Sequence, residues 1–165
     1  MRLSEKEFFD SIADKFDTKF NSYLKAAGIY RVKLRVNLFI AHCNLRSGLK
    51  ILEIGCGSGE YTKALLAAGI NVFATDVSEK MLRLAQVKVG MGAREGFFLS
   101  DVLQLPLPDN SLDVVIGNSI LHHLDQEKAL SEILRVLKKG GCVAFSEPNM
   151  SNPDVFLEMR IGLLK

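Results

Sequence analysis

From Leu49 onward, short apolar runs alternate with amphipathic stretches at a steady interval. Residues 51–54, 71–75, 96–99, 112–116 and 142–146 are compact and apolar, which fits strands buried in a sheet. Between them, residues 60–68 carry a helical period that closes at Gly69, and residues 79–89 carry another that stops before Gly90. A further helix sets Leu130, Ile133, Leu134 and Leu137 on one face, with Lys138-Lys139-Gly140 as its C-terminal signal. The stretch around Pro106 and Pro108 is too constrained for a long helix. Strands alternating with helices imply an α/β fold with a mostly parallel sheet of five strands, right-handed crossovers and helices on both faces.

The first 48 residues have a different pattern. Ser4 and Glu7 have capping-box spacing ahead of an apolar stripe at Phe8, Ile12, Phe16 and Phe20. Residues 30–36 alternate apolar and basic positions, which taken alone favours a strand. The pattern continues through Leu38, Phe39, Ala41 and Leu45 without alternation, so a helix is the better reading. Residues 1–48 thus form an N-terminal helical cap and residues 49–165 the α/β unit.

At 165 residues and 48% hydrophobic, the chain fits one globular domain with a substantial core. A net charge of +2 gives no case for nucleic acid. Arg31, Lys33, Arg35 and Arg46 cluster before the first strand; such a cluster could bind an anionic partner, but a solvated helix face is the better reading. Cys43, Cys56 and Cys142 are widely spaced, without metal-ligand spacing. With no secretory h-region or membrane-length apolar run, this points to a reducing, cytoplasmic setting and no integral membrane segment.

The chemistry concentrates at residues 50–59, Lys-Ile-Leu-Glu-Ile-Gly-Cys-Gly-Ser-Gly. Gly55, Gly57 and Gly59 can take positive φ and leave bare backbone for a ligand, and a helix N-terminus follows. Ligands of open α/β sheets bind outside the carboxyl ends of the strands. Four strands here end in suitable residues: Gly55-Cys56-Gly57, Asp76, Asp101 and Asn118-Ser119. A carboxylate at Asp76 can accept from both hydroxyls of an adenosine ribose, and Asp76 or Ser78 can also cap the next helix. Asp101 can accept from an exocyclic amine, with the Val102 N–H facing a ring nitrogen, or simply open the proline turn. A dinucleotide fingerprint would place its third glycine at Glu60, whose charge also opposes a pyrophosphate. A nucleotide-dependent oxidoreductase is therefore disfavoured.

The pattern Glu53-x-Gly55-x-Gly57-x-Gly59, with Asp76 and Asp101, resembles the class I S-adenosylmethionine-dependent methyltransferases. It is most similar to the branch that includes ubiquinone/menaquinone-type and other small-molecule enzymes. Residues 105–113, Leu-Pro-Leu-Pro-Asp-Asn-Ser-Leu-Asp, also match that branch, as do residues 118–124, Asn-Ser-Ile-Leu-His-His-Leu. So does the opening Phe8-Phe9-Asp10-x-Ile12-Ala13-x-x-Phe16-Asp17, although Phe16 stands where many relatives have tyrosine. The resemblance runs from Phe8 to Asn149 and implies a Rossmann-like three-layer sandwich. It also implies that Glu53, Gly55, Cys56, Gly57, Gly59, Asp76, Val77, Met81, Asp101, Val102 and Asn118 hold S-adenosylmethionine and its product S-adenosylhomocysteine. The methionine part would lie along residues 55–59, the ribose at Asp76, and the adenine between Val77 or Met81 and the Asp101-Val102 turn. Asn118 would approach the methionine end.

Methyl transfer from a sulfonium needs positioning and desolvation, and a base only where the acceptor loses a proton. His122 and His123 are the titratable pair nearest the expected methyl position, and they also read as ordinary helix-start residues without a carboxylate partner or metal. No catalytic residue is assigned. The absence of an Asn/Asp-Pro-Pro-aromatic clamp after the fourth strand favours a small organic acceptor. Relatives continue past the fifth strand with another helix and two strands, whereas here residues 150–165 have room for one helix, at 154–164. The fifth strand is then expected to present an edge, unless the chain is a fragment of a longer protein, a partner subunit completes the sheet, or a homodimer pairs those edges. The alternative to an enzyme is a non-catalytic or partner-dependent cofactor-binding fragment.

Overall fold

The computed structural model describes residues 4–19, 26–90 and 96–147. Phe20 and the expected helix at 154–164 lie outside them. Two helices come first, α1 (Glu5–Lys19) and α2 (Ala26–His42). There follow β1 (Ile51–Ile54), α3 (Glu60–Ala67), β2 (Phe73–Asp76), α4 (Glu79–Val89) and β3 (Phe97–Leu99). After β4 (Leu112–Asn118) come a 3-10 turn (Leu121–His123), α5 (Gln126–Val136) and β5 (Leu137–Ser146). The strands form one sheet in the order β3-β2-β1-β4-β5, and every pairing is parallel. Chain order reverses between β1 and β4, so the topological switch point lies directly beyond the glycine turn.

Burial follows the pleat. Ile51, Val114, Ile116 and Ala144 face one side, where Val32, Val36 and Phe39 of α2 and Tyr61 and Leu65 of α3 cover them. Ala74 packs against Leu82 and Ala85 of α4. On the other side Leu52, Val115, Val143 and Phe145 meet Ala129, Ile133 and Val136 of α5, with Val102 and Leu105 of the proline loop. The result is the expected three-layer α/β sandwich. Residues 30–36 are helical, and α2 is one of the layers on the sheet. Ser4 and Glu7 close their capping box, the Ser4 N–H donating to Glu7 Oε2 at 2.9 Å and the Glu7 N–H to Ser4 Oγ at 3.3 Å.

Two expectations change. Lys138-Lys139-Gly140 does not end a helix: α5 stops at Val136, and Leu137 already pairs with Leu112. Between that pair and Val114↔Cys142 the fifth strand bulges, with Lys138 Nζ 2.7 Å from Asp113 Oδ1. Gly141 allows it, because a Cβ there would sit 2.9 Å from the Asp113 carbonyl oxygen. The buried face of α5 accordingly comprises Ala129, Ile133 and Val136, while Leu134 is 51% exposed.

Arg35 is the second change. It is buried, not on a solvated face, and its Nη1 donates to Tyr61 Oη and, at 2.9 Å, to Asn118 Oδ1. Lys33 and Arg46 are exposed, as the charge pattern suggested.

Candidate functional site

The ends of β1, β2 and β4 open onto a cavity of about 500 Å³, roofed by Phe8, Phe9, Ile12 and Phe16 of α1. Of the expected cofactor residues, Glu53, Gly55, Cys56, Gly57, Asp76, Val77, Met81, Asp101, Val102 and Asn118 all line it. Gly59 does not. Its bare Cα is needed elsewhere, since a Cβ would stand 2.8 Å from the Ala85 Cβ at a φ of +82°, where α3 leaves the turn against α4.

Gly57 meets the cavity differently. Its φ is +53° and nothing lies within 4 Å of a would-be Cβ, so the space over its backbone is open to a ligand. Asp76 fixes this turn from below. Its Oδ2 accepts from the Gly57 N–H at 2.8 Å, and its Oδ1 accepts from the Ser78 N–H at 2.9 Å. Ser78 is the N-cap of α4, its Oγ accepting from the Met81 N–H at 3.2 Å. Asp76 thus holds loop and helix start together and keeps lone pairs available for ligand hydroxyls.

Two buried carboxylates face this cavity. Glu53 is 3% exposed, and burial raises its pKa to about 8, offset by the Thr62 hydroxyl that donates at 2.6 Å and increased by the nearby Asp76. Burial also raises Asp76, against the opposing pull of its backbone donors. The Cys56 thiol is pushed well up by burial and by both acids. A cationic ligand would relieve all three. Glu60, expected to present a bare negative charge, is paired with Lys88 at 2.7 Å, and Lys88 also donates to Ser58 Oγ at 3.0 Å.

Beyond β3, Asp101 Oδ1 accepts from the Leu103 N–H at 2.9 Å and shapes the turn that places Val102 in the cavity wall. The proline loop is held by Arg135, which donates to the carbonyls of Leu105 and Leu107 and to Asp109 and Glu132.

The histidines sit on the opposite side, next to α1. Their rings are 4.0 Å apart. Contrary to expectation, each has a carboxylate partner: His122 Nδ1 is 2.7 Å from Glu147 Oε2, and His123 Nδ1 is 3.3 Å from Glu5 Oε2. Glu147 is fixed by its other oxygen, which accepts from the N–H groups of Ile120 and Leu121 at 2.9 Å each. Burial, and then His122, lower the pKa of His123. Among the described residues, no cluster of three or more His, Cys, Asp or Glu is placed to hold a metal ion. Sequence reading missed Glu147, Glu5 and Arg35. It also missed the approach of Cys43 to Cys142, whose sulfurs are 2.6 Å apart.

A parallel sheet with its switch point at a glycine turn, an acid closing the second strand and another opening the loop after the third define a class I methyltransferase fold. Residues 52–145 match the methyltransferase domain family, and the chain belongs to it. S-adenosylmethionine is the cofactor that this family implies. The ubiquinone/menaquinone biosynthesis C-methyltransferase UbiE of Burkholderia mallei is 36% identical over 144 residues, covering 84% of this chain and 58% of that protein. The chain therefore spans little more than half the length of the curated relatives it matches. In fold it is similar to a chain of the complex between the Haloferax volcanii Trm112 methyltransferase activator and a candidate methyltransferase. That likeness has a TM-score of 0.70 at 22% identity, over 96% of this chain and 71% of that one. It is also similar to a candidate S-adenosyl-L-methionine-dependent methyltransferase of Methanococcus maripaludis, with a TM-score of 0.68 at 22% identity, over 94% and 69%.

Proposed function

We propose that this chain binds S-adenosylmethionine in the cleft beyond β1, β2 and β4 and transfers its methyl group to a small organic acceptor. The observation that carries the reading is the Gly57 turn, held open over the cavity by Asp76 and flanked by the buried Glu53. The methionine part is assigned to residues 55–59, with Glu53 and Asp76 supplying negative potential for its cationic groups and Asn118 at its far end. The ribose is assigned to Asp76, and the adenine to the space between Val77 or Met81 and the Asp101-Val102 turn. The aromatic roof from α1 suits an apolar acceptor. The UbiE relative, by its name, acts in quinone biosynthesis.

Among the described residues no helix is long and apolar enough to cross a membrane. A reducing, cytoplasmic location is assigned from the wide spacing of Cys43, Cys56 and Cys142 along the sequence, without metal-ligand spacing. Among the described residues β5 is the last strand in the sheet's order, and its outer edge is assigned to a second copy, a partner subunit or further strands of a longer protein of which this chain is a piece. The structural neighbour solved with an activator protein supports a partner subunit.

Calorimetry with S-adenosylmethionine, S-adenosylhomocysteine and NAD tests the reading. The first two should bind and NAD should not; tight NAD binding with no response to the others refutes it. Asp76→Ala should weaken cofactor binding by on the order of 2–3 kcal/mol, about 30- to 150-fold. Unchanged affinity would remove the ribose assignment.

A further inference from the structure

Resting on the S-adenosylmethionine reading, we propose that Lys88 is a specificity-determining residue. It screens the charge of Glu60 from the sulfonium and so sets how strongly the cleft prefers the cationic cofactor over its neutral product. The wall of the cavity is acidic. Among the described residues Glu5, Glu53, Glu60, Asp76, Asp101 and Asp125 line it, and no lysine or arginine does. Lys88 stands outside that lining and reaches it from the last turn of α4. Its Nζ lies 2.7 Å from Glu60 Oε1 and donates at 3.0 Å to Ser58 Oγ, and both partners are wall residues. The Lys88 and Glu60 side chains are 17% and 21% exposed, so salt and water screen the pair less than they would on an open surface. The reach is built into the fold. Ala85, one turn before Lys88, fills the space beside Gly59. α4 thus grips the glycine turn at Ser58, Gly59 and Glu60 together.

Cofactor and product differ by one methyl group and one charge. S-adenosylmethionine carries a positive sulfur and S-adenosylhomocysteine a neutral thioether, while their carboxylate, ammonium, ribose and adenine groups are the same. An unscreened carboxylate in the wall therefore favours the first over the second. Glu53 and Asp76 are assigned that role at the ends of β1 and β2. Glu60, at the start of α3, would add to it. Methyl transfer discharges the sulfonium, so surplus negative potential holds the ground state more firmly than the charge-dispersed transition state. The ion pair with Lys88 withdraws that surplus and leaves Glu60 in place. The other cationic or titratable partners of wall carboxylates lie elsewhere: Lys128 pairs with Asp125 at the start of α5, and His123 meets Glu5 of α1.

Calorimetry of the full chain at low ionic strength, with S-adenosylmethionine and S-adenosylhomocysteine, reads the ratio of the two affinities. Lys88→Met leaves Glu60 unscreened, and the preference for the cationic cofactor should rise about threefold. Glu60→Gln leaves Lys88 uncompensated, and the preference should fall about threefold. Both substitutions break the same ion pair, so a merely structural clasp would weaken both ligands alike and leave the ratio unmoved. Lys88→Arg and the double variant Lys88→Met/Glu60→Gln restore charge balance and should return the ratio to within about 1.5-fold of wild type. In about 0.5 M salt both shifts should shrink by more than half. Glu60→Gln can still accept from Lys88 Nζ, so it carries the test by itself if Lys88→Met does not fold. Ratios that stay at the wild-type value in both single variants, or move in the same direction, overturn the proposal. So does a ratio that remains raised in the double variant. A wild-type chain that binds neither ligand removes instead the reading on which the proposal rests.

Discussion

Glu53 should make the stability of the ligand-free protein fall as the pH rises, and Glu53→Gln should abolish that fall. Its pKa stands at about 8 in the folded chain against an ordinary 4.5, because burial strips the carboxylate of water and Asp76 adds a like charge. The Thr62 hydroxyl recovers part of that loss through its 2.6 Å bond. Between those two pH values the native state holds a proton that the unfolded chain has released. Stability therefore falls with rising pH, at a limiting slope of about 1.4 kcal/mol per unit. Its contribution is complete below the unfolded pKa and is lost as the pH passes the folded one. Over the whole interval the loss is on the order of 5 kcal/mol, a large part of a typical domain's stability.

A glutamine at position 53 is neutral throughout and can still accept from Thr62. Urea unfolding of both proteins at half-unit steps from pH 5 to pH 8.5 measures the difference directly. Histidines that titrate in the same interval are common to both and cancel. The variant's advantage should be small at pH 5 and widen to roughly 3–4 kcal/mol by pH 8.5. A gap that stays constant with pH would refute the reasoning, since it would mean Glu53 is already ionised in the native state.

Gly59→Ala should destabilise the fold by roughly 2–4 kcal/mol, from a positive φ and a Cβ placed 2.8 Å from Ala85. Its thermal midpoint should drop by several degrees, and an unchanged midpoint would remove the packing role. Diamide should oxidise Cys43 and Cys142, whose sulfurs lie 2.6 Å apart, to a disulfide that ties the end of α2 to β5. Intact mass should fall by two hydrogens, and a stabilisation of about 4 kcal/mol should appear on denaturation. Cys142→Ser should show neither change.

The regular rhythm of apolar runs made the sheet legible, because a strand buried on both faces leaves a mark in local sequence. The glycine turn and Asp76 stood out for the same reason, since both fall at strand ends in the local pattern, and both lie on the cavity wall. What escaped was long-range pairing of polar groups. Arg35 looks like a surface cation until the fold brings Asn118 to it from 83 positions away. Cys43 and Cys142 meet across 99 positions. Glu147 meets His122 across 25, at a strand end where nothing in the local pattern marks it. The misplaced end of α5 has another cause. Lys138-Lys139-Gly140 is a good helix stop, but Lys138 finds Asp113 from a bulge on β5 instead, and tertiary context overrides the local signal.

The same pairings divide the cleft into two sides with one shared roof. The ends of β1, β2 and β3 supply bare backbone and carboxylates, which suit a cationic cofactor. The ends of β4 and β5 supply His122 and Glu147, paired with each other. α1 spans both sides, and Asp10 shows how it is fastened. Its Oδ1 accepts from the Ser78 hydroxyl at 2.5 Å, a bond that holds the Asp10 carboxyl below its ordinary pKa, while Ser78 caps α4 next to Asp76. At the helix's other contact Glu5 meets His123. The apolar roof is thus tied by one carboxylate to the cofactor side and by another to the histidine side. A change that loosened α1 would open the acceptor's enclosure and unsettle the support beneath Asp76 together. In the proposed reading, that one helix couples cofactor binding to the exclusion of water from the acceptor.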